Sequence, residues 1–227
     1  LFRSRVWSIH ESRDSILWIG TRGEGLNRFN PRTEEFKRYK YNPDDEKNSL
    51  SFNDVRSIHE DKNGYIWIAT LGGGVNRLNP ETGEFKHFFN DPKDQYSICS
   101  NRIWVIFEDK AGTLWFGSYD NGLCKYNRET ERFKTYKKVP DNTNSLINNK
   151  VRCIVEGQEG NLWIGTSEGL NKLNPQNDKF TLYREEDGLP NNVIYGILED
   201  EQGNLWMSTN NGLSKFNPQK ETFKNFD

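Results

Sequence analysis

The chain has 227 residues and carries 31 basic against 33 acidic side chains, so it lacks the basic field that nonspecific binding to nucleic acid requires. No run of residues approaches the roughly 18 apolar positions of a membrane-spanning helix. Only 33% of the residues are hydrophobic but 13% are aromatic, which favours a folded chain with a small, ring-rich core over a disordered one.

Five tryptophans divide the chain into similar segments. They lie 49, 48, 48 and 43 residues apart, at Trp18, Trp67, Trp115, Trp163 and Trp206. A fixed period in the forties is typical of repeat architectures, in which one supersecondary unit buries its apolar face only against its neighbours. We expect the five tryptophans to lie in the core. No linker interrupts the repeats, so we predict a single all-β domain over residues 1–227, with units of about 1–49, 50–97, 98–145, 146–188 and 189–227.

The second unit shows the strands of one repeat most clearly. Four short runs rich in β-branched or aromatic residues cover 55–59, 65–69, 75–79 and 85–88. Residues 61–64 predict a hairpin turn that ends at Gly64, the glycines at 72–74 predict a second turn, and Asn79 followed by Pro80 predicts a third. Four short antiparallel strands with tight turns and a longer return loop predict one blade of a β-propeller.

The same pattern recurs in the other units, with two exceptions. Glycine ends the first turn in four copies, but Ser15 takes this place in the first copy, where we expect a different turn. Asn-Pro forms the third turn in four copies, but the third copy has Asn127 followed by Arg128. Paired acidic residues recur ahead of the first turn, as at Glu60 and Asp61, and we interpret them as hairpin caps rather than catalytic pairs.

The number of units leaves the closure of the propeller open. The fifth copy ends in its own outer strand at 223–226, so no strand remains to complete the first blade. Either five blades close directly or they form an arc of a larger ring, and we favour the arc, with Ile9 and Ile197 exposed on its flanks. The sequence opens in mid-repeat, where Leu1 matches Leu50, and we expect this N-terminus to be a cut edge.

The three cysteines give no sign of a repeated disulfide. Cys99, Cys124 and Cys153 occupy three different positions of the repeat, whereas a ladder of bridges would place them at one position. We expect three free thiols, and the cysteine usage does not indicate a compartment.

Residues 163–175 read Trp-Ile-Gly-Thr-x-x-Gly-Leu-Asn-Lys-Leu-Asn-Pro. In other copies the motif Val-x-x-Ile-x-Glu-Asp stands ahead of the corresponding segment. Together these motifs resemble the two-component regulator propeller repeats. The likeness covers all five copies. It implies the extracytoplasmic, periplasmic sensor region of a hybrid histidine kinase of Bacteroides-type bacteria, with propellers usually of seven blades. It also implies a glycan fragment as the ligand and dimerisation through the parent receptor. The kinase, receiver and DNA-binding parts are not in this sequence.

No residues have the spacing of a catalytic or metal centre. His10 and His59 share one repeat position and His87 lies on an outer strand, so we interpret all three as strand residues rather than as metal ligands or general bases. We therefore predict no enzyme activity, no cofactor and no metal site in this region. A lyase-like propeller enzyme is the weakest alternative, and a histidine beside a carboxylate or an arginine at the channel mouth would support it.

The candidate binding site lies at a position that varies between the copies. The residue after the first apolar residue of the first strand is Trp7, Arg56, Trp104, Arg152 or Tyr195. If this strand is innermost, these side chains lie near one mouth of the central channel, where aromatic faces and guanidinium groups suit a sugar or an acidic oligosaccharide. Packing between blades is the alternative explanation. Because the position is variable, we expect Arg56 and Arg152 to matter little for stability.

Polar residues recur in the return loops and could also reach that mouth. They are Ser49 and Asn53, Ser97 and Asn101, and Ser145 and Asn149, and we interpret most of them as turn caps. For the whole chain we favour a glycan-binding sensor module that binds no nucleic acid. A protein-interaction scaffold is the second candidate, and it would need a large exposed apolar patch.

Overall fold

The computed structural model describes residues 5–226 and arranges them as twenty β-strands in five separate four-stranded antiparallel sheets. Leu1, which the sequence matches with Leu50, lies outside the described residues. The first blade contains β1 (Val6–Glu11), β2 (Leu17–Thr21), β3 (Leu26–Phe29) and β4 (Phe36–Tyr39). The second contains β5 (Val55–Glu60), β6 (Ile66–Thr70), β7 (Val75–Leu78) and β8 (Phe85–Phe88).

The remaining three blades repeat this order. The third contains β9 (Ile103–Glu108), β10 (Leu114–Ser118), β11 (Leu123–Asn127) and β12 (Arg132–Tyr136). The fourth contains β13 (Val151–Glu156), β14 (Leu162–Thr166), β15 (Leu170–Asn174) and β16 (Lys179–Tyr183). The fifth contains β17 (Ile194–Glu199), β18 (Leu205–Thr209), β19 (Gly212–Asn217) and β20 (Thr222–Phe226). Short 3₁₀ turns at Glu46–Asn48 and Glu185–Asp187 lie in return loops.

Successive blades contact each other mainly through their first strands. β1 lies against β5, β5 against β9, β9 against β13, and β13 against β17. Within each sheet the strands follow chain order from this strand to the outer fourth strand. The structure therefore confirms the predicted propeller of four-stranded antiparallel blades. It also places the first strand of each blade innermost, which is the condition that the candidate site depends on.

Each of the first four repeated tryptophans packs between its own blade and the next. The ring centroid of Trp67 lies 5.4 Å from that of Phe88 in the same blade and 5.5 and 5.1 Å from those of Phe116 and Tyr126 in the next. As predicted, burial is nearly complete for Trp18, Trp67, Trp115 and Trp163. Each such side chain removes about 150–250 Å² from water, worth about 4–6 kcal/mol before entropy costs. Trp206, in the last blade, is only half-buried.

An aspartate in the first hairpin binds the tryptophan of the same blade. One oxygen of Asp61 accepts a hydrogen bond from Nε1 of Trp67 at 2.8 Å. The other accepts the backbone amides of Asn63 and Tyr65 at 2.9 and 3.0 Å. The same indole bond joins Asp109 to Trp115 and Asp200 to Trp206. The aspartates are hairpin caps, as predicted, and they also orient the core indoles.

The glutamate that ends the first strand of the second to fifth blades binds the preceding blade. Glu60 accepts a hydrogen bond from the amide of Arg13 at 2.8 Å, and Glu108 accepts one from the amide of Lys62 at 3.4 Å. Two further bonds of this kind join Glu156 to Lys110 and Glu199 to Gln158. Each bond satisfies a turn amide of one blade with a carboxylate of the next, so the first hairpins are linked in a row.

The first hairpin of the first blade turns like the others. Ser15 has a φ of 63°, and its amide donates to the carbonyl of Ser12 at 2.8 Å, as the amide of Gly64 donates to Asp61 in the second blade. The expectation of a different turn is wrong, because a single serine can take the left-handed conformation at a cost of about 1–2 kcal/mol. Glycine is required at Gly122, where φ is 87° and a Cβ would overlap the carbonyl oxygen of Tyr136.

Two of the three cysteines form a disulfide bond, so the expectation of three free thiols is wrong. Cys99 and Cys124 are joined with their Cα atoms 5.9 Å apart, and Cys153 is free. Cys99 ends a return loop that packs against β11 of the blade it leads into, and Cys124 lies on β11. Positions in the repeat did not reveal the pair because the bond joins two different elements of one blade.

The five blades form an open arc. Ile9 in β1 is 66% exposed, whereas its equivalents in the other four blades are buried. On the last blade Leu198, Leu213 and Phe226 are exposed. The structure thus shows the arc with uncovered flanks that we favoured. Ile197 is nevertheless buried, because it packs in the cluster with Trp163 of the preceding blade, so its predicted exposure is wrong.

Replacing Trp115 with alanine is expected to lower the free energy of unfolding by about 3–5 kcal/mol, because burial is lost and a cavity remains. Substitution by phenylalanine separates the contribution of burial to stability from that of the indole hydrogen bond. Trp115→Phe leaves an oxygen of Asp109 without its donor, whereas Trp18→Phe removes a buried Nε1 that has no partner. In denaturant unfolding, Trp115→Phe should cost about 1–3 kcal/mol more than Trp18→Phe. Equal costs would show that the aspartate bond adds nothing.

The uncovered flanks are expected to drive self-association. Sedimentation should show dimers or larger species that grow with protein concentration, and the double variant Ile9→Lys, Leu198→Lys should stay monomeric. Val139→Lys is the matched control, because Val139 is also exposed but lies in a return loop away from both flanks. A parent chain that remains monomeric at high concentration would contradict this prediction.

Candidate functional site

The five candidate residues occupy one structural position, a β-bulge in the first strand of each blade. In β5 the pairing with β6 steps from Val55–Thr70 to Ser57–Ala69, so Arg56 is the extra residue. The equivalent residues skipped in the other first strands are Trp7, Trp104, Arg152 and Tyr195. A bulge re-aims its side chain and is common beside binding sites. All five therefore lie at the same end of the inner strands, which we call the bulge end.

Arg56 lies between two tryptophans of the neighbouring blades. Its Cζ is 4.1 Å from the ring centroid of Trp7 and 5.2 Å from that of Trp104. Its Nη2 donates to Oδ2 of Asp54 at 3.0 Å, and its side chain is only 7% exposed. The guanidinium group of Arg56 thus packs between the rings of Trp7 and Trp104 in two cation–π contacts. The expectation that Arg56 matters little for stability does not fit this geometry, because its removal would leave Asp54 unpaired.

Trp104 extends this row to a residue that sequence reasoning missed. Its ring stacks on that of Tyr119, with 5.4 Å between centroids and 22° between planes. Tyr119 follows β10, and its amide donates to the carbonyl of Arg102 ahead of β9. The guanidinium carbon of Arg102 and the ammonium nitrogen of Lys150 lie 4.2 and 4.1 Å from the Tyr119 centroid. The available signal was variation at the residue after the second strand, which is Arg22, Leu71, Tyr119, Ser167 or Asn210.

Arg152 and Tyr195 form the second part of the site. The Cζ of Arg152 lies 4.7 Å from the Tyr195 centroid, and its Nε donates to Oγ of Ser167 at 2.9 Å. Tyr195 is 51% exposed, and its hydroxyl donates to Oδ1 of Asn210 at 2.7 Å. The structure therefore brings the five candidates into two groups, one of three residues and one of two. Tyr119 lies between the groups, since it stacks on Trp104 and is within electrostatic reach of Arg152.

The bulge end carries more positive than negative charge. Two of its arginines are neutralised in the ion pairs Arg56–Asp54 and Arg102–Asp120. Within residues 5–226, Lys150 and Arg152 have no carboxylate oxygen within 4.0 Å. Contact with Lys150 and its positive charge lower the pKa of Tyr119, and the charges of Arg102 and Arg152 act in the same direction. The surface around Tyr119 is an aromatic platform with a surplus of cations.

The repeated polar residues of the return loops cap turns, as predicted. Oδ1 of Asn53 accepts the amide of Tyr41 at 2.7 Å, and Oγ of Ser49 accepts the amide of Asn42 at 3.2 Å. The same bonds recur at Asn101 and Ser97 and at Asn149 and Ser145. These side chains are engaged with their own loops.

A second polar cluster lies at the other end of the inner strands, which we call the hairpin end. Nε2 of His59 is 2.9 Å from Oε2 of Glu108 on the next blade. Arg128 donates from Nη2 to Oε1 of Glu108 at 2.7 Å and from Nη1 to Oδ2 of Asp61 at 2.6 Å. Arg128 stands where the other blades have proline. The departure from the Asn-Pro turn therefore supplies a cation that links the third blade to the hairpin of the second.

His10 extends the hairpin end to the first blade. Its Nε2 accepts the amide of Glu60 at 3.1 Å, and its ring centroid is 5.9 Å from that of His59. An Nε2 that accepts a hydrogen bond carries no proton, so this contact requires the neutral imidazole. Burial and the nearby His59 lower the pKa of His10, although Glu60 opposes the shift.

His59 lies beside a carboxylate, which is the arrangement that a catalytic centre at the hairpin end would need. Its partner Glu108 is also bound by Arg128 and by the amide of Lys62, and Asp61 is bound by Arg128, an indole and two amides. The carboxylates are engaged with groups of two blades, an arrangement that suits a tie between blades better than acid–base chemistry. No group of three or more His, Cys, Asp or Glu side chains in the described part of the chain could hold a metal ion.

Replacing Arg128 with alanine is expected to lower the free energy of unfolding by about 3 kcal/mol, because two largely buried carboxylates lose their cation. Arg128→Pro restores the residue of the other blades and should cost as much. Arg132→Ala is the matched control, since Arg132 is exposed on β12 and contacts only the ring of Tyr96 among the described interactions. If Arg128→Ala lowers the free energy of unfolding no more than Arg132→Ala does, Arg128 does not stabilise the contact between the second and third blades.

The effect of Arg128 should also depend on pH. Burial by itself raises the pKa of Asp61, but the bonds from Arg128, Trp67 and Tyr65 outweigh burial and hold that pKa below its usual value. The unfolded chain therefore takes up this proton more readily than the folded chain. The stabilisation is present above about pH 4, where the unfolded carboxyl titrates, and is lost as pH falls below it. The difference between the parent and Arg128→Ala should shrink over this range.

Comparison with known proteins agrees with this architecture. A family model described as "Two component regulator propeller" matches residues 49–72, 97–120, 145–168 and 188–211. The extracellular domain of a hybrid two-component system from B. thetaiotaomicron is 29% identical with a TM-score of 0.84, over 96% of this chain and 29% of that one. A second such domain from the same bacterium is 26% identical with a TM-score of 0.80, over 99% of this chain and 31% of that one. The chain thus spans under a third of the length of these relatives.

Other solved structures share the fold alone. Virginiamycin B lyase from Staphylococcus aureus is 15% identical with a TM-score of 0.72, over 97% of this chain and 69% of that one. A search of curated proteins found no match. Among residues 5–226, no helix combines the length and the apolar character needed to cross a membrane.

Proposed function

We propose that the chain is part of a periplasmic sensor that binds a glycan at the bulge end. Its repeats belong to the two-component regulator propeller family. The observation that carries this proposal is the row of bulges, which directs aromatic and guanidinium side chains of five successive blades to one end of the arc. The extracellular domains that resemble the chain support the location. The disulfide bond supports it independently, because such bonds persist in oxidising compartments.

The bulge end offers what a sugar needs. A sugar ring has apolar C–H faces that pack on aromatic rings, and hydroxyl or acidic groups that bind guanidinium. Trp7 and Tyr195 are 43% and 51% exposed, so their faces can receive such a ring. Arg152 has no carboxylate partner among residues 5–226 and can donate hydrogen bonds to a ligand. Arg56 is already paired, so its role is to hold Trp7 and Trp104 in place.

The position of the site also suits signalling. A sensor transmits a signal only if its ligand favours one arrangement of the receptor over another. The bulge residues lie on inner strands, which are the elements that contact each other between blades. A ligand that touches several bulges therefore binds across blade contacts, and dimerisation of the parent receptor would carry the change further.

The two other candidate functions have weaker support. An interaction scaffold requires an exposed apolar patch, and the exposed apolar residues of the first and last blades include Val6, Ile9, Leu198, Leu213 and Phe226. Except for Leu198, the residues at the same repeat positions are buried in the inner blades. Another blade-like sheet would therefore fit these flanks. The lyase-like alternative depends on the hairpin end, where the carboxylates already serve the contacts between blades.

The proposal predicts that ligand binding depends on Tyr195 and Arg152. A panel of neutral and acidic oligosaccharide fragments would be screened by thermal shift, and the strongest would be titrated by calorimetry. Arg152→Ala should weaken an acidic fragment by about 1.5–3 kcal/mol, because a charged hydrogen bond is lost, and Tyr195→Ala should weaken neutral and acidic fragments alike. Tyr195→Ala should keep its stability within about 0.5 kcal/mol because Tyr195 is exposed, and Arg152→Ala should lose no more than the bond to Ser167, about 1 kcal/mol.

The chain contains a matched control pair for this experiment. Arg132 lies over Tyr96 at 4.6 Å, much as Arg152 lies over Tyr195 at 4.7 Å, but that pair joins an outer strand to a return loop. Arg132→Ala and Tyr96→Ala should leave affinity unchanged. Affinity that survives Arg152→Ala and Tyr195→Ala, or falls equally in the control pair, would rule out the bulge end as the binding site.

A further inference from the structure

Two of the three cations around Tyr119, Lys150 and Arg152, form no salt bridge within the part of the chain that the structure describes. Lys150 immediately precedes β13, and Arg152 is the bulge residue of that strand. Neither has a carboxylate oxygen within 4.0 Å among residues 5–226. By contrast, Arg128 at the hairpin end is bound by two carboxylates. Among the described residues, the charges of Lys150 and Arg152 are therefore left without a carboxylate, although the two cations lie close together at the bulge end.

The shared neighbour of these cations is one aromatic ring. The ammonium nitrogen of Lys150 lies 4.1 Å from the centroid of Tyr119, and the charge of Arg152 acts on the same phenol. Arg102 is also close, at 4.2 Å, but Asp120 binds its guanidinium at 3.3 Å. Three positive groups around one ring repel one another. A bound anion would relieve that repulsion, and hydrogen bonds to charged groups are stronger than those between neutral groups.

The aromatic rings determine which part of a ligand would lie next to these cations. Tyr119 stacks on Trp104 on one side, and Arg152 covers Tyr195 on the other. A sugar packed on these rings would hold its substituents next to Lys150 and Arg152. An acidic substituent there would contact cations, whereas a neutral hydroxyl would leave their charges uncompensated.

We propose that Tyr119, Lys150 and Arg152 form a subsite for one anionic group, a carboxylate or sulfate ester carried by the sugar ligand. This inference rests on the proposed glycan-binding function and names the class of glycan as acidic. Lys150 is the specificity-determining residue, since its ammonium group contacts only the neutral Tyr119 side chain among the described interactions, whereas Arg152 donates to Ser167 and Arg102 is paired with Asp120. The aromatic rings supply affinity that is independent of charge, and Lys150 supplies the preference for an anion.

The test uses three probes and a matched pair of variants. The probes are a neutral oligosaccharide, the same backbone carrying a uronate or an O-sulfate group, and inorganic sulfate alone. The variants are Lys150→Gln and Lys179→Gln, because Lys179 is an exposed lysine on β16 that also lacks a salt bridge. The parent should bind the acidic sugar more tightly than the neutral one, and this preference should decline as salt is added.

Lys150→Gln should lower the affinity for the acidic sugar about tenfold and leave the affinity for the neutral sugar unchanged. Lys150→Arg, which keeps the charge, should retain the preference, and Lys179→Gln should behave like the parent. Equal affinity of the parent for both sugars, or equal losses in Lys150→Gln and Lys179→Gln, would overturn the subsite.

The same measurements separate this inference from the glycan-binding function. If Tyr195→Ala weakens both sugars while Lys150→Gln changes nothing, the subsite is wrong and the glycan function stands. If neither sugar binds but inorganic sulfate raises the melting temperature of the parent and not of Lys150→Gln, the anion subsite stands and the glycan function is wrong.

Discussion

The packing of each tryptophan against the following blade is the contact on which the rest of the structure depends. A four-stranded sheet cannot cover both of its faces, so Trp67 needs Phe116 and Tyr126 of the next blade for its burial. The hairpin aspartate fixes the indole in that position. Stability is therefore built from contacts between neighbours, as in other repeat proteins. The same rule explains why Ile9 on one flank and Leu198 on the other are exposed.

This dependence also explains why the bulge position can vary. A bulged residue is left out of the pairing between strands, so its side chain need not fit a cross-strand partner. Trp7, Arg56 and Tyr195 can therefore stand at one position without changing the fold. Constant tryptophans and variable bulges are two consequences of one architecture. Packing between blades fixes the tryptophans, whereas strand pairing leaves the bulge residues free to vary.

Features that recur at the same position of every blade could be predicted from the sequence. Contacts between two different positions of the repeat could not. The strands, most of the turns, four buried tryptophans and the variable position of the first strand follow from a period that five copies display. The bond between Cys99 and Cys124 does not, because a return loop and a third strand have no common repeat position. Ile197 was assigned to the correct strand but to the wrong face, since periodicity does not tell which neighbour a side chain meets. Tyr119 was missed because its importance comes from Trp104 and Lys150, which lie on other segments.

The two ends of the inner strands differ in how their charges are used. At the hairpin end, Arg128 and the glutamates bind across successive blades and satisfy both carboxylates and turn amides. At the bulge end, Lys150 and Arg152 share the neighbourhood of Tyr119, which belongs to the preceding blade. A ligand at the bulge end would therefore connect blades that the protein itself joins at the hairpin end. Binding would favour the blade spacing that fits the ligand, which is the differential affinity that a sensor requires.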